Sequence, residues 1–178
     1  VTGPGGALLV EDRVDVTLEG SDLAGNRGLI GSALFCDGTA GAEPTVFIDG
    51  TTLRDGVAGV GTVAIEPGCG VTMRNSTISG NTAFSASAVR ALGSLTLAQT
   101  TIVQPASGGQ AGVVGAANVT AIGSILATEC DSANVVSTGA NVESPGDTCG
   151  LGESDDRVGV PAKLEALADL ADIQAAIN

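Results

Sequence analysis

The sequence predicts an all-β fold, a parallel β-helix of about five to six coils closed by a short C-terminal α-helix, and two observations lead there. One is composition: the 178 residues include 27 glycines and only three aromatics, Phe35, Phe47 and Phe84, which suits narrow layers of small side chains. The other is an internal repeat of the form apolar, x, apolar, x, x, Ser/Thr, x, apolar. It recurs as Val16, Leu18, Ser21, Leu23; Val46, Ile48, Thr51, Leu53; Val71, Met73, Ser76, Ile78; Leu95, Leu97, Thr100, Ile102; and, more weakly, Val119, Ala121, Ser124, Leu126. Successive copies start 30, 25, 24 and 24 residues apart.

Within each copy the alternation has the two-residue period of a strand, and a two-residue corner resets its phase before a second short strand. Between copies lie further small apolar runs: Ala7-Leu8-Leu9-Val10, Ala33-Leu34-Phe35, Val63-Ala64-Ile65, Ala88-Val89 and Val113-Val114. Each repeat therefore supplies three strands and three turns, the unit of a triangular solenoid. Such a unit cannot bury its inward face alone and needs its neighbours in the stack. An antiparallel sandwich would instead show hairpin signals between paired runs. A degenerate coil is expected near Val135-Val136.

The solenoid is expected over residues 1–160. After Pro161, Leu164, Leu167, Leu170, Ala171 and Ile177 recur at helical spacing, predicting an amphipathic helix over 161–178 that caps the last coil or contacts another molecule.

The formal charge is -13, with Lys163, six arginines and no histidine, so phosphate backbones and anionic lipids are repelled and nucleic-acid binding is not expected. No apolar run approaches the roughly 20 residues of a membrane span, and no membrane insertion is predicted. With His, Tyr and Trp all missing, the commonest general base, the commonest zinc ligand and the usual sugar-stacking platforms are missing too. No cofactor and no metal are expected. Four cysteines without CxxC spacing predict disulfides in an oxidising compartment, with Cys130–Cys149 closing the degenerate coil and Cys36–Cys69 joining the second and third coils.

The stretch from Val71 to Ala83, with its Asn75-Ser76-Thr77-Ile78-Ser79-Gly80-Asn81-Thr82-Ala83, resembles the recurrent coil of bacterial secreted β-helix repeat proteins. Residues Asn134 to Asn141, followed by Cys149-Gly150-Leu151, are similar to the closing part of β-helices that carry choice-of-anchor Q domains. Together these cover most of residues 5–160. The resemblance implies a right-handed parallel β-helix on the outside of a bacterial cell, secreted or at the cell surface, in a family without an assigned catalytic centre.

Aligning the repeats stacks like side chains on the outside of the rod. One column holds Thr17, Phe47, Thr72, Thr96 and Thr120; another holds Asp22, Thr52, Thr77, Thr101 and Ile125. These threonine ladders suit an outward β face, and alternatively form a regular surface for ice or a polysaccharide. A third column, Glu19, Asp49, Arg74 and Ala98, reads as a surface ion-pair ladder, or as the carboxylates and base of a polysaccharide lyase or hydrolase. Arg54-Asp55 adds a charge pair with no third acid in register. Ser21, Thr51, Ser76, Thr100 and Ser124 at the corner are expected to point inward and bond to their copies. Glu153-Ser154-Asp155-Asp156 lacks EF-hand spacing and reads as a solvated turn, and Asn75 and Asn118 begin glycosylation sequons. No catalytic residue emerges. The expected function is a non-catalytic extracellular structural or adhesive β-helix that self-associates through its coil ends or its C-terminal helix, end to end into a filament.

Overall fold

Alternation of inward apolar and outward polar residues makes each repeat a set of short strands separated by corners, and the strands of successive repeats pair in parallel. The computed structural model of the protein describes residues 3–11, 13–38, 43–103, 111–115, 118–131 and 135–162. Its strands, numbered in chain order, stack into four sheets as a β-solenoid of about four full turns. The first sheet holds β1 (Leu8–Glu11), β5 (Gly31–Asp37), β9 (Gly61–Ile65), β13 (Val89–Ala91) and β16 (Val113–Val114). The second holds β2 (Asp15–Glu19), β6 (Thr45–Asp49), β10 (Gly70–Arg74), β14 (Ser94–Ala98), β17 (Val119–Ile122) and β19 (Val136–Ser137). The third holds β3 (Asp22–Ala24), β7 (Thr52–Arg54), β11 (Thr77–Ser79), β15 (Thr101–Val103), β18 (Ile125–Ala127) and β20 (Val142–Glu143).

The expected three strands per turn are present, and a fourth, two-residue strand joins them on three turns: β4 (Arg27–Gly28), β8 (Val57–Ala58) and β12 (Thr82–Ala83). Runs this short carry no readable alternation, so the pattern gave no sign of this sheet. The amphipathic helix expected over 161–178 lies, from residue 163 onward, outside the described residues.

Register puts the apolar positions of the repeat into continuous columns. Val16, Val46, Val71, Leu95 and Val119 are neighbours in the second sheet, as are Leu18, Ile48, Met73, Leu97 and Ala121. Leu23, Leu53, Ile78, Ile102 and Leu126 form the column of the third sheet. From the second turn onward these side chains are buried, whereas Leu8, Val16, Leu18 and Leu23 of the first turn are only partly covered. The first sheet is buried more completely: all five residues of β9 are inaccessible, which is why these runs read as unbroken small apolar stretches.

The corner between the second and third sheets is set by one left-handed residue, Gly20, Gly50, Asn75, Gln99 or Gly123, with φ between 49° and 57°. Glycine and asparagine adopt this conformation readily and other L residues pay for it, so the column reads as a corner in sequence except at Gln99. The next residue then points inward. Thr51, Ser76, Thr100 and Ser124 are buried, and their hydroxyls donate to the carbonyl two residues back: Thr51 to Asp49 at 3.1 Å, Ser76 to Arg74 at 2.7 Å, Thr100 to Ala98 at 3.2 Å, Ser124 to Ile122 at 3.0 Å. The same oxygens accept from the turn before: Ser21 N–H donates to Thr51 Oγ1 at 3.3 Å, Thr51 N–H to Ser76 Oγ at 3.1 Å and Thr100 N–H to Ser124 Oγ at 3.2 Å. The expected inward ladder is thus present, with the hydroxyls bonded to backbone groups. Asn141 continues it, its Oδ1 accepting from Ser124 N–H at 2.9 Å.

Beyond Leu126 the core column of the third sheet is taken by Glu143, which is fully buried. Its Oε1 accepts from the N–H and hydroxyl of Thr148 and from Cys149 N–H, so a carboxylate folds the closing segment back over the last layer. Both expected disulfides form: Cys36–Cys69 with a Cα–Cα distance of 6.1 Å and Cys130–Cys149 with 4.8 Å.

Ser76→Ala is expected to cost about 1–3 kcal/mol in urea unfolding, because it strips the buried Thr51 N–H of its acceptor, while outward Thr77→Ala stays within about 0.5 kcal/mol. Equal losses at these two neighbours would contradict the assigned facing. Replacing Cys130 and Cys149 together by alanine should lower stability by about 3 kcal/mol. Limited proteolysis should then cut first between the two positions, and unchanged protection there would refute a locking role.

Candidate functional site

Outward residues carry whatever chemistry the rod has, because its interior is closed by aliphatic and hydroxyl columns. Both threonine ladders lie in the expected register: Thr17, Phe47, Thr72, Thr96 and Thr120 pair in sequence along the second sheet, and Asp22, Thr52, Thr77, Thr101 and Ile125 along the third. All of these threonines are at least partly exposed, and from the second turn onward they alternate with buried neighbours.

Glu19, Asp49, Arg74 and Ala98 also lie side by side. Arg74 Nη2 sits 2.7 Å from Asp49 Oδ2 and its Nε donates to Oδ1 at 3.3 Å, while Asn75 Nδ2 adds a third bond to Oδ1 at 3.0 Å. The Arg74 guanidinium, helped by Asn75, holds the Asp49 carboxyl below the usual aspartate range, and Asp49 in turn raises the Arg74 pKa. Both oxygens of Asp49 are therefore occupied and the group stays ionised, an arrangement that ties two turns together. Glu19 contributes to Arg74 only through its field. The Arg74 guanidinium also lies 5.4 Å from the centroid of Phe47, a cation–π contact across adjacent turns.

Arg54 departs from the sequence-based expectation. Besides Asp55 at 2.8 Å it binds a second acid, Asp22, through Nε and Nη2 at 2.9 to 3.2 Å. Column alignment missed this because Asp22 faces Thr52 in register and Arg54 reaches it diagonally, which a long side chain can do and a register table does not show. Arg90 and Glu66 make a further ion pair between turns.

Among the described residues, no three His, Cys, Asp or Glu side chains are placed to hold a metal ion. The acidic segment is the turn that was expected, built around Asp156. Its Oδ1 accepts from Asn141 N–H and its Oδ2 from Glu153 N–H, both at 2.9 Å. Burial pushes the Asp156 pKa up, but hydrogen bonds from Ser137, Asn141 and Glu153 outweigh it and leave the group below its ordinary value. The sequon residues are engaged too: Asn75 with Asp49, and Asn118 Nδ2 with Ala91 O at 3.1 Å. Among the described residues, no helix is long and apolar enough to cross a membrane.

Among the described residues, a concave surface lies along the start of the second sheet. Two adjoining depressions of about 300 and 460 Å³ share Thr45, Gly70 and Ser94; the first is also lined by Phe47, Thr72 and Thr96, the second by Glu43, Leu92, Gly93 and Asn118. They exist because glycines occupy the corner that leads from the first sheet into the second. A Cβ on Gly93 would come within 2.3 Å of Cys69 O, so the backbones of adjacent turns approach here as only glycine allows. The threonine columns predicted part of this lining; the glycine corner could be noticed in sequence only once its place in the turn was known. No family model, no curated protein and no solved structure matches this chain.

Because Asp49 titrates below its ordinary range in the folded protein, its pairing stabilises the fold fully above the pH where a free aspartate titrates, and this is lost as pH falls through the folded-state value. In an NMR titration of side-chain carboxyls, Arg74→Gln should move Asp49 upward. An unmoved Asp49 would refute the pairing.

Proposed function

We propose that this chain is a non-catalytic, extracellular structural or adhesive β-helix, secreted or held at a bacterial cell surface. The observation that carries this reading is how the outward charges are used: Asp22, Asp49, Arg54 and Arg74, the groups most suited to chemistry, are engaged with one another between turns. They serve cohesion of the rod. Two disulfides suit an oxidising compartment, and together with the corner ladder they favour durability over motion. The finer reading of the architecture goes with this proposal. The coil number is five to six, β19 and β20 being a shortened last coil, and the hand is right, as nearly all parallel β crossovers are. The chain is of the choice-of-anchor Q type.

Self-association is assigned to the first turn and a second copy of this chain. β1, β2, β3 and β4 are the terminal strands of all four sheets, and the apolar layer beneath them, Leu8, Val16, Leu18 and Leu23, is incompletely covered. Among the described residues these strands have a strand neighbour on one side, and a strand edge over an apolar layer is what another strand edge completes. At the other end Arg157 pairs with Val142, so β20 is covered. Ice binding is the weaker alternative, since Phe47 and Ile125 interrupt the regularity of the two threonine columns.

Negative-stain electron microscopy of the native protein, with light scattering, tests the association. Paired or longer rods that revert to single particles in Leu18→Lys are expected, and single particles throughout would remove self-association. Polysaccharides incubated with the protein, with and without Ca²⁺, should keep their length; shortening that disappears in Asp49→Asn would overturn the non-catalytic reading.

A further inference from the structure

The adjoining depressions on the second sheet form one groove parallel to the stacking axis, and its lining says what it accepts. Thr45, Gly70 and Ser94 lie side by side on β6, β10 and β14, and Phe47, Thr72 and Thr96 two residues further along the same strands. Asn118, just before β17, extends the groove to the next turn. With strands about 4.8 Å apart, the groove runs over roughly 15 Å and offers the hydroxyls of Thr72, Ser94 and Thr96 and the side chain of Asn118, with Gly70 leaving room between them. A ligand matched to it is linear and extended, and repeats on that scale with both hydroxyls and apolar C–H faces.

Charge narrows the class. The chain carries a formal charge of -13, Glu43 is among the lining residues, and Arg74, two residues along β10 from Thr72, is already paired with Asp49 and laid over Phe47. A polyanion would meet a repulsive field with no uncommitted cation among the lining residues. Phe47, the aromatic of the lining, is held by Arg74 and supplies an apolar surface of the kind that packs against sugar C–H groups. We infer that this groove, from Thr45 and Phe47 to Thr96 and Asn118, binds about three consecutive rings of an uncharged, extended polysaccharide. The inference rests on the adhesive form of the function proposed above and names its ligand.

The test is affinity electrophoresis and calorimetry of the native protein against soluble neutral glycans (xylan, mixed-linkage glucan, chitin oligomers) and acidic ones (polygalacturonate, alginate). Phe47→Ala and Thr96→Glu alter the groove; Thr101→Glu places the same charge on the third sheet as a control, and unchanged thermal melting shows that each variant is folded. Binding of a neutral glycan that weakens at least about tenfold in both groove variants and stays within about twofold in Thr101→Glu is the expected result. Binding that ignores the groove substitutions overturns the site. Binding of acidic polymers alone overturns the ligand class and leaves the adhesive role standing. Loss of all glycan binding, in the native protein and every variant, overturns the inference and the adhesive reading together, leaving the structural one.

Discussion

Everything in this molecule depends on parallel stacking of one turn on the next. A single turn has strands of two to seven residues, too short to hold themselves, and an inward face that no other layer of the same turn covers. The neighbouring turn supplies both the missing hydrogen-bond partners and the missing packing. Stacking in register then imposes likeness: Val16 above Val46 above Val71, Thr51 above Ser76 above Thr100. The repeat visible in the sequence is the trace of that requirement, and the outward ladders are its by-product, since equivalent outward positions are stacked whether or not their side chains cooperate.

Much of the fold was legible for this reason. The apolar columns, the inward corner hydroxyls and the outward threonines follow from register alone, and register is encoded redundantly by five copies of one pattern. Features that break the repeat were not legible. The fourth sheet is made of two-residue strands with no alternation to read, and Gln99 adopts a left-handed corner that its side chain does not advertise. Glu143, which no repeat position singled out, fills the core position after Leu126, because the closing turn supplies Thr148 and Cys149 as donors. A buried carboxylate is tolerated only where such donors converge, and nothing local to Glu143 announces them.

The candidate surface was legible by half. Column alignment placed Glu19, Asp49 and Arg74 together and the threonines in two rows, but it could not show that Arg74 serves Asp49 and Phe47 at once, nor that Arg54 crosses to Asp22. Those contacts depend on side-chain reach. They make a set of charges suited to chemistry into struts between turns, and beside them lies the shallow glycine-cornered groove.

The Cys36–Cys69 bridge gives the rod a direction of failure. A linear stack comes apart by fraying, one layer at a time, and the layer with the least covered core is the first. Unzipping that begins there runs through β1 to β4, opposed only by non-covalent contacts, and then reaches a covalent bond that fastens the second layer to the third. The bridge is a stop for a crack travelling down the axis. Damage to the exposed end of the molecule is thereby kept from reaching the layers that carry the groove.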